Sequence, residues 1–139
     1  MDYMCKAIKY LTEQQCSCVA WNGKDILESK KRGVAPLLQW LEEEKDLSDF
    51  FVADKVVGKG AAFLYLLLHA RNLHAFVISQ PALEVLQQQG VSVTYEKCVP
   101  AIRNRDNTGF CPIESVVLDC ADPAEALVRI KNRLKELTK

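Results

Sequence analysis

The residues best able to do chemistry gather in two stretches of the chain. The first is Asp54-Lys55-Val56-Val57-Gly58-Lys59-Gly60-Ala61. Lys55 and Lys59 stand four apart, a spacing that places both on one face of a first helical turn. The positive end of the helix dipole disfavours cations there, and Gly58 and Gly60 each weaken a helix by about 1 kcal/mol relative to alanine. A local rule broken in this way points to a site. Exposed backbone N–H groups beside two ammonium groups suit a phosphate or a carboxylate. With no ligand, the same residues read as glycines that let a helix pack closely and lysines that face water. Asp54 caps the helix or, with Lys55, transfers protons.

The second stretch is the turn-rich loop from Cys98 to Cys111, of a length that is often functional in a compact domain. Arg105 can grip a carboxylate or phosphate through two parallel hydrogen bonds, with Asn104 beside it. Cys111-Pro112-Ile113-Glu114 resembles a short helix start. A thiol at such a position ionises more easily and can act as a nucleophile. The plainer alternatives are a structural Cys111, a turn asparagine, and an Arg105 paired with Glu114.

Several common chemistries are missing. A phosphate-binding Walker loop needs G-x-x-x-x-G-K-[ST], but here Ala53 replaces the first glycine and Gly60 the Ser/Thr that binds magnesium. The six cysteines, at 5, 16, 18, 98, 111 and 120, form no C-x-x-C pair and no zinc-finger spacing. The two histidines, His69 and His74, flank a helix-to-strand connection at the edge opposite the expected site, so a Cys–His dyad is not expected. Lysine plus arginine equals aspartate plus glutamate at 18 each, which argues against bulk nucleic-acid binding. The first residues, Met1-Asp2-Tyr3-Met4-Cys5-Lys6, lack the basic and apolar regions of a signal peptide. The apolar run Gly60–Ala70 is too short for a bilayer. The expectation is a cytoplasmic chain with reduced thiols and no membrane partner.

The elements that must position these residues follow from periodicity. Tyr3, Ala7, Tyr10 and Leu11 share a helical face. Cys16–Trp21 and Asp25–Ser29 flank Asn22-Gly23, a dipeptide that accepts positive φ at both turn positions of a hairpin. Val34, Leu37, Leu38 and Leu41 give a helical stripe ending in the solvated Glu42-Glu43-Glu44. A strand over 50–53, a helix from about Lys55 to Arg71 and a strand over 75–78 follow. Ser79 or Gln80 caps the next helix, with Pro81 in its first turn, and Gly90 ends it. Val91, Val93 and Tyr95 alternate with Ser92 and Thr94 as a last strand. Asp122-Pro123-Ala124-Glu125 starts a final helix docked by Leu127, Ile130, Leu134 and Leu137. At 139 residues this is one domain, a mixed sheet of about five strands between helical layers. Its ligand belongs outside the carboxyl ends of the strands. Asp54-Lys55, Ser79-Gln80, the loop bearing Arg103 to Cys111, and Ser29 to Gly33 converge there.

The blocks "RGVAPLL", "VADKVVGKGAA", "VISQPALEVL" and "IRNR…GFCPIES" resemble an uncharacterised prokaryotic domain-of-unknown-function family with a cytidine-deaminase-like fold. The likeness covers residues 16 to 135. It implies a three-layer α/β/α architecture with strand order 2-1-3-4-5, residues 1–139 forming one deaminase-like domain. It does not bring deaminase chemistry. Zinc deaminases need H-x-E and P-C-x-x-C at two helix starts, and Gly33-Val34-Ala35-Pro36 and Asp54-Lys55-Val56-Val57-Gly58 stand at those places. No metal and no cofactor is expected.

The resulting expectation is metal-independent binding of a small anionic, nucleotide-like metabolite in the old deaminase cleft. Lys55, Gly58 and Lys59 hold the anion, Asn104 and Arg105 close over it, and Ser29, Gly33, Ser79 and Glu114 complete the lining. An enzyme is the alternative, with Cys111 as nucleophile or Asp54 and Lys55 as proton-transfer groups. A protein-interaction scaffold is the third reading, and self-association is left open.

Overall fold

The computed structural model describes residues 3–31, 33–102 and 112–137. Along the chain lie α1 (Tyr3–Glu13), β1 (Cys18–Trp21), β2 (Ile26–Ser29), α2 (Ala35–Glu42), β3 (Phe51–Val57), α3 (Lys59–Leu67), β4 (Asn72–Ser79), α4 (Gln80–Gln88), β5 (Ser92–Val99), α5 (Pro112–Val117) and α6 (Pro123–Leu137). The five strands form one mixed sheet in the order β2-β1-β3-β4-β5. β1 runs antiparallel to both β2 and β3, whereas β3, β4 and β5 are parallel. Order and class are those expected from the sequence.

Strand alternation divides the core. Val19 and Ala53 pair across β1 and β3 and join Ala7 and Leu11 of α1 in a small apolar cluster. Their neighbours Cys18, Ala20 and Val52 join the main cluster, with Leu37 and Trp40 of α2, Phe63 and Leu64 of α3, Leu86 of α4 and Ile130 of α6. A period of two thus sends successive side chains into two layers. The consequence for chemistry is direct: Asp54, paired with Cys18, must enter the main core.

Local signals explain most boundaries. The Ser79 hydroxyl accepts from Ala82 N at 3.2 Å and caps α4. The Asp122 carboxylate accepts from Glu125 N at 2.9 Å and caps α6. Gly90, at φ +77, follows α4 as expected. The hairpin differs from its expectation. Trp21 pairs with Ile26, which leaves residues 22–25 as the turn. Gly23 alone has a positive φ, of +90. Asn22 works instead through its side-chain oxygen, which accepts from Lys24 N at 2.9 Å and from Asp25 N.

The larger correction concerns Lys55. β3 runs on to Val57, and α3 begins only at Lys59. Val56 and Val57 are β-branched and keep the backbone extended. Gly58, at φ −97 and ψ 179, is the N-cap. Lys55 is therefore a strand residue and shares no helical turn with Lys59, and Asp54 is not a helix cap. Among the described residues, no helix is long and apolar enough to cross a membrane.

Candidate functional site

A cavity of about 260 Å³ opens at the carboxyl end of β3, the place an open α/β sheet reserves for ligands. Ser17 and Cys18 enter it from the start of β1, and Asp54, Lys55 and Val56 from the end of β3. Gly58 and Ala61 border it at the start of α3, Gly33 and Val34 before α2, and Ile113 and Glu114 on α5. Ile102, the last residue described after β5, completes the wall.

Asp54 is its most unusual wall residue, a carboxyl 9% exposed. Tyr65, from α3, donates its hydroxyl to Asp54 Oδ2 at 2.6 Å. Asp54 Oδ1 accepts from Val56 N at 3.3 Å. The Tyr65 oxygen also lies 3.1 Å from Cys18 Sγ. When Asp54 is ionised, Tyr65 must donate to it, so the Cys18 thiol donates to Tyr65. The result is a buried chain from thiol to phenol to carboxyl, with no cation pairing the carboxyl among the described residues. Burial pushes the Asp54 pKa up to about 7, and the hydrogen bond from Tyr65 acts against that rise. Burial, then the neighbouring Asp54 charge, holds the Cys18 thiol well above its ordinary range. The Tyr65 phenol is raised for the same two reasons.

Glu114 explains the two glycines. Its carboxylate is 4% exposed and accepts from Gly60 N at 3.0 Å. A Cβ on Gly58 would lie 2.6 Å from Glu114 Cδ, and one on Gly60 would lie 2.9 Å from Ile113 Cγ2. The chain's own carboxylate thus takes the start of α3 where a ligand anion was expected. α5 docks into the clearance that the glycines leave.

Of the residues singled out from sequence, the cavity gathers Gly33, Asp54, Lys55, Gly58 and Glu114. Gly33, at φ +62, turns the chain into α2. Lys59 is elsewhere. Its ammonium donates to Leu118 O at 2.7 Å, sits 5.7 Å from the centre of the Phe63 ring, and borders a separate groove with Cys120. Ser29 accepts from Lys31 N, and Ser79 is buried as a helix cap, so neither lines the cavity. Asn104, Arg105 and Cys111 lie outside the described residues. His74 sits beside Thr94 and Glu96, and His69 near Asp46, both remote from the lining. Cys18 and Tyr65 are additions that sequence reasoning missed. Cys18 looked like one of several core thiols, and only the β1–β3 register sets it opposite Asp54. Among the described residues, no group of three His, Cys, Asp or Glu side chains could hold a metal ion.

A family model described as TM1506, domain of unknown function (DUF1893), matches residues 6–134. The chain belongs to the DUF1893 family. A crystal structure of a DUF1893 family protein (TM1506) from Thermotoga maritima resembles this chain with a TM-score of 0.87 and 33% sequence identity. The match covers 96% of this DUF1893 chain and 89% of the other. No curated protein matches it.

Proposed function

We propose that this DUF1893 chain binds a small anionic metabolite in the cavity, without a metal ion. Lys55 faces the anionic group at the mouth, and Asp54 meets an uncharged polar group deeper in. The observation that carries this reading is Asp54 itself, a buried carboxyl with no cation partner among the described residues, in a wall otherwise rich in Val34, Val56, Ala61, Ile102 and Ile113. A buried polar group that opens on a cavity is a hydrogen-bonding point for a ligand. Pockets for drug-sized ligands run from about 300 to 1,000 Å³, so about 260 Å³ suits a small metabolite or one end of a nucleotide-like one. A deaminase-like ancestry for the cleft fits this placement. Cys16, Cys18, Cys98 and Cys120 are free thiols, which supports a reducing, cytoplasmic setting.

The test is a thermal-unfolding screen with inorganic phosphate, small oxo acids and nucleoside monophosphates. A binder present at a hundredfold excess over its Kd stabilises the fold by about 2.7 kcal/mol. Lys55→Ala is expected to remove most of that stabilisation. Lys59→Ala is expected to retain it, because the Lys59 ammonium is held by Leu118 O. If nothing in the panel stabilises the parent chain, the reading fails. If Lys59→Ala abolishes binding and Lys55→Ala does not, the anion lies in the other groove.

A further inference from the structure

Among the described groups around the cavity, one is set up to exchange a proton with a ligand. Glu114 Oε2 is already bonded to Gly60 N. Cys18 is buried, tied to the Tyr65 hydroxyl and hard to ionise, so it is not an available nucleophile. Asp54 differs from both. Tyr65 fixes its Oδ2, Oδ1 accepts a long bond from Val56 N, and Lys55 N and the Cys18 thiol also lie near enough to favour the ionised form. The carboxyl borders the cavity. Tyr65 and Cys18, from two other elements, hold it in one orientation. This is the arrangement a general acid–base needs: a positioned group, shielded from bulk water, with an oxygen that is not saturated by strong donors.

One acid–base group is enough for a reaction that moves a proton within a single molecule. We propose that the chain catalyses keto–enol proton transfer in a small 2-oxo acid, with Asp54 as the catalytic residue and Tyr65 as its positioning residue. This rests on the binding reading above. The ionised Asp54 takes a proton from the carbon beside the carbonyl. The C–H electron pair becomes the new C=C bond, and the carbonyl π pair moves onto oxygen. The protonated Asp54 then returns its proton to that oxygen, giving the enol and restoring the carboxylate. No atom is gained or lost, and no oxidant or second substrate enters. The ligand's carboxylate lies toward Lys55, whose positive charge also favours the negative charge that develops on the enolate. The hydrocarbon part meets Val34, Ala61, Ile102 and Ile113. A carboxyl that is both acid and base near neutral pH, as burial makes Asp54, can run the step in either direction.

The experiment follows exchange of the C3 protons of pyruvate, 2-oxobutanoate and phenylpyruvate for deuterium in heavy water by proton NMR. The same compounds are tested for thermal stabilisation of each variant. At least one probe is expected to exchange about 100-fold or more faster with the protein than in buffer, the lower end of what positioned acid–base catalysis contributes. Asp54→Asn is expected to lose that acceleration while still being stabilised by the probe. Tyr65→Phe is expected to keep exchange, with its pH profile moved to higher pH, because the Tyr65 bond lowers the Asp54 pKa. Equal exchange by Asp54→Asn and parent overturns the assignment. A probe that binds without accelerated exchange overturns the proposal and leaves the binding reading standing. Nucleotide binding with no oxo-acid binding does the same, whereas an absence of binding across the whole panel removes both.

Discussion

Asp54→Asn is expected to make stability nearly independent of pH between pH 4 and 8, whereas the parent weakens as pH rises through that window. The sign follows from proton counting. In the unfolded chain Asp54 releases its proton near the ordinary value of 3.8, and in the folded chain near about 7. Between those values the folded state holds a proton that the unfolded state has lost, so stability falls with rising pH. The favourable contribution is full below the unfolded value and gone once pH has passed about 7. Across the whole window it is worth up to about 4 kcal/mol, as an order of magnitude for a buried carboxyl. The groups that face Asp54 do not oppose the trend. Cys18 from β1 and Tyr65 from α3 have raised pKa values and stay neutral throughout. Asparagine keeps an oxygen that can accept from Tyr65 but has no charge to bury, so the variant should gain on the parent most at pH 8. Urea midpoints measured at half-unit pH steps check this. Parallel profiles for the two chains would show that Asp54 is solvated well enough to ionise normally.

How far this site could be read from sequence depends on the range of the interactions involved. The order of elements along the chain followed from local signals (hairpin residues at 22 and 23, Ser79 and Asp122 as caps, and β-rich and helical stretches in alternation), whereas the strand order across the sheet was what the family resemblance implied. Asp54 and Lys55, expected outside the strand ends, border the cavity there, because a strand end in such a sheet has few other destinations. The Lys55–Lys59 pairing went wrong over one boundary. Val56 and Val57 carried β3 past the expected helix start, and the i, i+4 relation holds only inside a helix. The Cys18–Tyr65–Asp54 chain joins residues 47 and 11 positions apart, and no local pattern marks it. The glycines were ambiguous for a physical reason. A bare backbone that admits a ligand phosphate equally admits a carboxylate from the same chain, and only the tertiary docking of α5 decides between them.

That docking sets the other large effect. Gly58→Ala is expected to destabilise the fold by about 2–3 kcal/mol, through displacement of Glu114. Backbone strain is not the cause, since φ −97 with ψ 179 is open to any residue. On backbone grounds alone, alanine would gain about 0.4–1 kcal/mol by restricting the unfolded chain. The opposing term is contact. The new Cβ would sit 2.6 Å from Glu114 Cδ and 2.7 Å from Oε2, inside any tolerable separation. Glu114 is only 4% exposed, so its carboxylate has little free space to retreat into. Moving it also strips the Gly60 N–H of its acceptor at the positive end of α3. Glu114→Ala should itself cost about 1–3 kcal/mol, the usual loss when a buried N–H loses a charged acceptor. The decisive measurement is the double-mutant cycle. With Glu114→Ala already present, the clash is gone, and adding Gly58→Ala should cost close to nothing or give a small gain. A double change that costs well under the sum of the two single ones ties both glycine and glutamate to the seating of α5 beside the cavity. Strict additivity would mean that Glu114 does not fill the space beside Gly58, and the start of α3 would again be open to an external anion.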